Sequence, residues 1–539
     1  MSEWWRGAVI YQIYPRSFRD TNGDGIGDLA GIVEGLDYIA GLGVDGIWLS
    51  PIYLSPMKDF GYDVADYCAV DPVFGSLDDL DRLVARAHAL GLKVILDQVY
   101  SHSSDQHPWF QESRQCRDNA KADWYVWADP KPDGTPPNNW LAVFGGPAWD
   151  WEPRRRQYYF HNFLKEQPDL NFHTQAVQDA VLAAAQFWLD RGIDGFRIDV
   201  ANFFAHDPLL RDNPPSFHPA PDKPYWLQRP LYTRNRPETL AFVARFRALI
   251  DRYAERMAVA EIAAEDQIGT MVAYTDGPDR YHTAYSFAFL HDAPNPRAIR
   301  AGVERMLAAS GSAWPSWSFS NHDVVRVVSR YADDADRAAR ARLLIAVLST
   351  LRGTAFLYQG EELGLPQAHV PYERLQDPEG KAFWPRHKGR DGARTPLPWR
   401  ADAVQAGFST AEPWLPVDRA HLPLAVDRQH ADAGSVLNFT RRFLAWRKQQ
   451  PALLTGAIRF VDAPEMVLAF ERATADQRLL LVFNFARAPS TVPLSMTGPL
   501  GVLPVPGLDG TWTGTAAEIP ALNGLIAVLG ETGADRPPV

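Results

Sequence analysis

Eight short apolar segments recur along this 539-residue chain, each followed by a stretch of helical period. They span residues 8–14, 46–49, 93–98, 195–200, 257–262, 283–289, 316–321 and 354–358, with helical stretches such as 77–90, 176–189, 239–256 and 335–351 between them. A β-then-α alternation predicts parallel pairing, and eight such units predict an α/β (β/α)8 TIM barrel. In such a barrel the chemistry lies in the loops after the strands. Residues 103–172 are too long for one such loop and rich in Trp, Pro, Gly and Asp, so a small inserted domain is expected after the third strand. A basic amphipathic helix over 436–450 closes the barrel, assigned to residues 1–102 and 173–456. Beyond Gly456, short alternating segments at 458–461, 466–471 and 479–484 predict an antiparallel β-domain over 457–539.

The fourth segment, from Gly192 to Val200, reads Gly-Ile-Asp-Gly-Phe-Arg-Ile-Asp-Val. Side chains repeat with period 2 along a strand, so Arg197 and Asp199 share a face and the guanidinium can hold the carboxylate ionised. Desolvating a charge pair costs about what the pairing returns, so the pair either fixes barrel register or serves a site. The fifth segment ends with Glu261 in an apolar frame, which raises a carboxyl pKa and suits a general acid. The seventh leads to Asn321-His322-Asp323. Three carboxylates thus meet at one barrel mouth, as nucleophile, proton donor and stabiliser of a cationic transition state. Retaining glycoside cleavage needs this set.

Other loops carry candidate residues of a different kind. The first holds Asp20-Thr-Asn22-Gly-Asp24-Gly-Ile26-Gly-Asp28, whose alternating oxygens can wrap Ca2+ or Mg2+ in a structural role. Gly31 stands where an EF-hand places its twelfth-position Glu, and a turn closed by Asx hydrogen bonds is the other reading. Residues 202–238, with eight prolines, form either a wall of the pocket or a flexible loop.

A net charge of -11 and a pI near 5.7 argue against nucleic acid or an anionic membrane as partner. Cys68 and Cys116 alone make no disulfide framework or metal cluster. The first residues show neither a basic n-region nor an apolar core, and no long uncharged apolar run follows, so a soluble cytoplasmic protein is expected. The 18 Trp fit stacking on sugar faces, although large cores use Trp too.

The blocks 97–102, 195–200, Glu261 and Asn321-His322-Asp323, with 167–171, resemble the signature blocks of the α-amylase family of glycoside hydrolases, family 13. Residues 20–28, Gln167-Pro-Asp-Leu-Asn171 and Arg390-Asp-Gly-Ala-Arg394-Thr-Pro are similar to its oligo-1,6-glucosidase and α-glucosidase branch. The resemblance implies Asp199 as nucleophile, Glu261 as acid/base and Asp323 as transition-state stabiliser. It implies that Arg197 orients Asp199, that His102 and His322 bind glucose hydroxyls, and that Tyr62, Phe144, Phe163 and Gln167 line the same pocket. Asp63 and Arg390 are expected to pair and close its far end, giving exo action on small sugars without a cofactor for the chemistry. Ser101 stands where many relatives carry Asn. Val200 tilts the expectation towards α-1,6 bonds, whereas the Asp-Gln-Val-Tyr-Ser-His block is more like maltose-acting, glucose-transferring relatives. An isomerising enzyme of the sucrose isomerase or trehalose synthase type is the alternative, and a monomer or homodimer the expected assembly.

Overall fold

The computed structural model describes residues 3–217, 223–309, 311–331, 335–493 and 500–530. Its centre is a closed, wholly parallel barrel of β1 (Val9–Ile13), β2 (Gly46–Leu49), β3 (Lys93–Gln98), β4 (Gly195–Ile198), β5 (Met257–Ile262), β6 (Thr283–Ser286), β7 (Trp314–Ser318) and β8 (Thr354–Tyr358). Each strand pairs with its neighbours in sequence, and β8 closes on β1. Around it lie α1 (Leu29–Ala40), α2 (Leu77–Ala89), α3 (Gln175–Asp190), α4 (Pro237–Ile250), α5 (Gln267–Thr275), α6 (Pro296–Ala309), α7 (Arg337–Thr350) and α8 (Val436–Arg447). Two helix starts follow directly from side chains: Asp28 accepts the Gly31 N–H at α1, and Ser76 with Asp79 forms a capping box at α2.

Period 2 divides the strand residues into two cores. Ile10, Trp48, Ile95, Met257, Val259, Tyr285, Trp314 and Phe356 point inward and fill the barrel, while Val9, Ile47, Val94, Phe196, Ala258 and Leu357 face the helices. Full burial of each larger apolar side chain contributes roughly 1.5–3 kcal/mol. Two strand bounds differ from expectation. β6 stops at Ser286, and Phe287–Phe289 turns as a 3-10 segment with Leu290 N–H on the Phe287 carbonyl at 3.1 Å. β7 begins at Trp314, ahead of Pro315, which a strand tolerates near its start, and ends at Ser318. Asn321, His322 and Asp323 therefore lie in the following loop.

The segment between β3 and α3 carries a three-stranded antiparallel sheet of Trp127–Ala128, Gln157–Phe160 and Trp149–Glu152 over a small core that includes Trp140 and Trp149. After α8, Ala457–Val461, Val467–Ala473, Arg478–Asn484, Asn523–Leu529 and Leu500–Val502 form an antiparallel sheet beside a three-stranded one. Buried Arg472 fastens this domain to the barrel's base, donating to the Thr350 carbonyl at 2.6 Å and the Gly456 carbonyl at 3.0 Å. Arg447 does the same from α8, to Ser349 and, at 2.7 Å, to Gly7. Ser349 and Thr350 end α7, where carbonyls lack helical partners and the helix dipole is negative.

Candidate active site

The inward positions change character towards the C-terminal ends of the strands: Gln12, Asp97, Arg197 and Glu261 follow the apolar filling, beside Trp48 and Tyr285 at its upper edge. Register sets Asp97 beside Arg197, and Glu261 beside Tyr285. Arg197, fully buried, donates through Nη1 to Asp97 Oδ1 at 2.8 Å and to Asp199 Oδ1 at 2.6 Å. Its Nη2 lies 2.5 Å from Glu261 Oε1, and its face stacks over Trp48 at 5.0 Å. One guanidinium therefore gathers three carboxylates from three strands, two of them the expected Asp199 and Glu261.

Three buried acids around one cation do not all ionise easily. Burial, opposed by Arg197, raises Asp97 to about 6, Asp199 to about 7 and Glu261 to about 7. The charge of Asp199 adds to the rise of Glu261, and those of Asp97 and Asp323 add to the rise of Asp199. Asp323 behaves oppositely: burial raises its carboxyl, but the Arg394 and Arg390 guanidinium groups, beside the His322 ring, outweigh that and hold it ionised. Arg394 Nη2 donates to Asp323 Oδ1 at 2.8 Å, and Arg390 Nη1 lies 3.4 Å from the same oxygen.

The residues expected around the glucose pocket converge with one exception. His322 Nδ1 meets Gln12 Nε2 at 2.8 Å, its Nε2 meets Tyr62 Oη at 2.6 Å, and Tyr62 donates to Asp97 Oδ2 at 3.0 Å. The Gln12 amide supplies the donor to Nδ1, so the Nε2 nitrogen carries the proton. His102 meets Ser101 Oγ at 2.8 Å, so serine still partners this ring, and Gln167 Nε2 at 3.2 Å. Burial lowers His102 to about 4 and His322 well below its ordinary value, so both rings are neutral. Phe163 packs on His102 at 5.2 Å and on Phe144 at 5.6 Å, and Arg390 stacks over Phe144 at 4.8 Å.

The exception is Asp63, which does not pair with Arg390. Its carboxylate accepts from Ser55 Oγ and from the Lys58 and Asp59 backbone N–H groups, and so holds its own loop. Arg390 Nη2 instead donates to Asp59 at 2.7 Å and to Asp377 at 2.8 Å. Asp59 and Asp377 are charged residues that the sequence reading missed, and Asp97 and Arg394 are ones it placed in motifs without a role.

Several of these groups line a cavity of about 230 Å³, together with Phe203, Tyr225, Trp226, Phe287 and Val324. Residues 202–238 supply several of its lining side chains, so the described part of this segment is a wall. It is tied to the inserted domain through Asn139, which exchanges hydrogen bonds with Asn213 at 2.9 and 2.8 Å, and to buried Glu379 through Lys223.

In the 20–28 loop, Asp20 accepts the Gly23 and Gly25 N–H groups at 2.8 Å, Asp24 accepts Ile26 N–H, Asn22 accepts Asp24 N–H, and Asp28 caps α1. The Asx turns close it. Among the described residues no three His, Cys, Asp or Glu side chains gather as a metal centre. The loop's donor chemistry, hard oxygens each with a second lone pair, nevertheless suits Ca2+ or Mg2+.

Residues 12–456 match the family model of the alpha-amylase catalytic domain. A probable alpha-glucosidase of Rhizobium meliloti (strain 1021) is 54% identical over 506 residues, covering 92% of this chain and 91% of that one. The crystal structure of the alpha-glucosyl transfer enzyme XgtA superposes with a TM-score of 0.96 at 52% identity, covering 98% of this chain and 100% of that one. That of the trehalulose synthase MutB from Pseudomonas mesoacidophila MX-45 does so with a TM-score of 0.88 at 33% identity, again over 98% and 100%.

Proposed function

The chain belongs to the α-amylase family of glycoside hydrolases, and we propose that it is a retaining, exo-acting α-glucosidase of disaccharides and short oligosaccharides that also transfers glucose to acceptor hydroxyls. The observation that carries this is the pair Asp199 and Glu261, held by one arginine and lining the same cavity as Asp59 and Arg390, which is itself held by Asp59 and Asp377.

Asp199 receives its arginine on Oδ1, which leaves Oδ2 to attack the anomeric carbon. Glu261 gives its proton to the departing oxygen, and a β-glucosyl ester forms on Asp199. The ester removes the charge of Asp199, which lowers the Glu261 pKa, so Glu261 then takes the proton of the incoming water or sugar hydroxyl. Asp323, ionised throughout, favours the cationic transition state. Neutral His102 and His322, with Tyr62 and Gln167, hold the glucose hydroxyls, and Phe144 and Phe163 pack against the ring. Support for transfer comes from the likeness to an alpha-glucosyl transfer enzyme.

We further propose that Asp20, Asn22, Asp24, the Ile26 carbonyl and Asp28 hold a structural Ca2+ or Mg2+ with no part in the chemistry. Among the described residues no helix is long and apolar enough to cross a membrane. We also propose a cytoplasmic location and a monomeric or homodimeric assembly, checked by fractionation and light scattering.

The deciding experiment is initial rates on maltose, isomaltose and sucrose with products resolved by chromatography and anomeric NMR. Release of α-glucose is expected; β-glucose would refute retention. The likeness to a trehalulose synthase favours a second reading, isomerisation, which sucrose converted into an isomeric disaccharide rather than into glucose and fructose would establish. Val200→Thr should shift the maltose-to-isomaltose ratio by about ten- to two-hundredfold, the scale of one side chain's shape.

A further inference from the structure

The geometry points to Tyr285 as a positioning residue that, together with Arg197, confines the acid proton of Glu261 to Oε2. This rests on the acid/base role proposed above for Glu261. Arg197 Nε donates to Tyr285 Oη at 3.1 Å. A guanidinium has donors only, so the phenol cannot give its hydrogen back to Arg197. Its other partner is Glu261 Oε1, 3.2 Å away, and the phenol donates there. Arg197 Nη2 faces that same oxygen at 2.5 Å. With the phenol donating to it and the guanidinium charge pressed against it as an ion pair, Oε1 carries the carboxylate's negative charge and has no room for a proton of its own.

Oε2 differs. It meets one protein donor, the Val200 N–H at 3.1 Å, and Glu261 lines the cavity, where a glycosidic oxygen would come to rest. Val200 aims that N–H from a backbone with φ of 36°, a region a β-branched residue rarely enters. Such strain costs about 1–3 kcal/mol and persists only where the surroundings enforce it, here directly after the nucleophile. Tyr285 and Glu261 are 1% and 2% exposed, so solvent does not replace either contact. The charged groups around Glu261 are Arg197 and Asp199 from the β4 side, Asp97 from β3 and Asp323 from the β7 loop. None of these other groups donates to Oε2. The acid thus has one working oxygen, and the other is held as an anchor.

Tyr285→Phe tests this by the leaving group. Maltose needs a proton on its departing oxygen, whereas p-nitrophenyl α-glucoside, with a far more acidic leaving group, needs little. The kcat/KM on maltose is expected to fall about tenfold or more, the usual scale for a hydrogen bond to a charged group, with less than about a threefold change on the aryl glucoside. Losing a donor to the carboxylate also raises its pKa, so the alkaline limb of kcat/KM should move to higher pH. Equal losses on both substrates, or an unmoved limb, would overturn the inference. The unsubstituted enzyme gives a second test: in crystals diffracting beyond about 1.2 Å, at a pH below that limb, the longer carboxyl C–O bond of Glu261 should lead to Oε2, and a longer bond to Oε1 would overturn it. If Glu261→Gln keeps normal turnover on maltose, the acid/base role itself fails, separately from the part given to Tyr285.

Discussion

At the base of the barrel Arg447 and Arg472 are buried against backbone carbonyls, whereas at its mouth Arg197, Arg390 and Arg394 are buried against carboxylates. The fold is the same at both ends and so is the cation; the partners differ. A carbonyl neither gains nor loses a proton, so the base is a fixed joint at any working pH. A carboxylate titrates, and these three guanidinium groups hold six of them, Asp59, Asp97, Asp199, Glu261, Asp323 and Asp377. That surplus of acid is costly in the resting site and favourable once positive charge develops on a sugar ring.

The sharpest separation of the two ends comes from deleting their central groups. Asp199→Ala or Glu261→Gln should lower turnover on maltose by about four orders of magnitude, while the thermal midpoint stays level or rises because one crowded acid is gone. A variant with normal activity would sink the assignment. Arg472→Met should do the reverse. It leaves the Thr350 and Gly456 carbonyls without their donor, at a cost of about 2–3 kcal/mol in unfolding experiments, with kcat unchanged at temperatures where the chain is folded. A large loss of kcat would mean that the base communicates with the mouth.

The pH dependence of stability should also differ between the ends. Asp199 is raised to about 7 by burial, so the folded chain holds its proton more tightly than the unfolded chain does. Its contribution is whole below the ordinary carboxylate range and is lost as pH rises through 7. Asp199→Asn removes that loss and should stabilise the protein by about 1–2 kcal/mol more at pH 8 than at pH 5. Asp323, held low, runs the other way and stabilises until pH falls into the acid range. Urea unfolding at the two pH values checks the sign, and an equal effect at both would break the argument. Arg472→Met should show no such pH dependence.

What could be read from the chain and what could not divides along a physical line. The barrel was legible because period 2 and the eightfold β-then-α alternation are local signals, and Arg197 with Asp199 because two residues of one strand share a face. The choice between Asp59 and Asp63 was not. Both stand in one turn, four residues apart, and positive φ values of 50° at Phe60 and 105° at Gly61 reverse the chain and decide which acid meets Arg390. Asp377 and Arg394 lie in a long segment after β8 without periodic pattern, and their partners are distant in sequence. Tyr285 was legible as a strand residue only. Its role appears once register sets it beside Glu261.

The smallest effect belongs to a loop at the mouth that is built like the base. Asp20, Asn22 and Asp24 turn their oxygens on backbone N–H groups of their own loop, and Asp20 also takes the Ser409 hydroxyl at 2.5 Å. These bonds already close the loop, so a cation would tighten a formed turn and would not create it. A ligand that binds only the folded chain stabilises it by about 2.7 kcal/mol at a hundredfold excess over its dissociation constant, which in a chain of this size is a shift of only a few degrees at most. Chelation with EDTA should therefore lower the thermal midpoint by about one to three degrees, added Ca2+ or Mg2+ should restore it, and kcat on maltose should not move. No shift would remove the cation from the loop and leave the Asx turns as its whole account. A fall in kcat at constant midpoint would place the ion with the carboxylates of the mouth and break the division between chemistry and support.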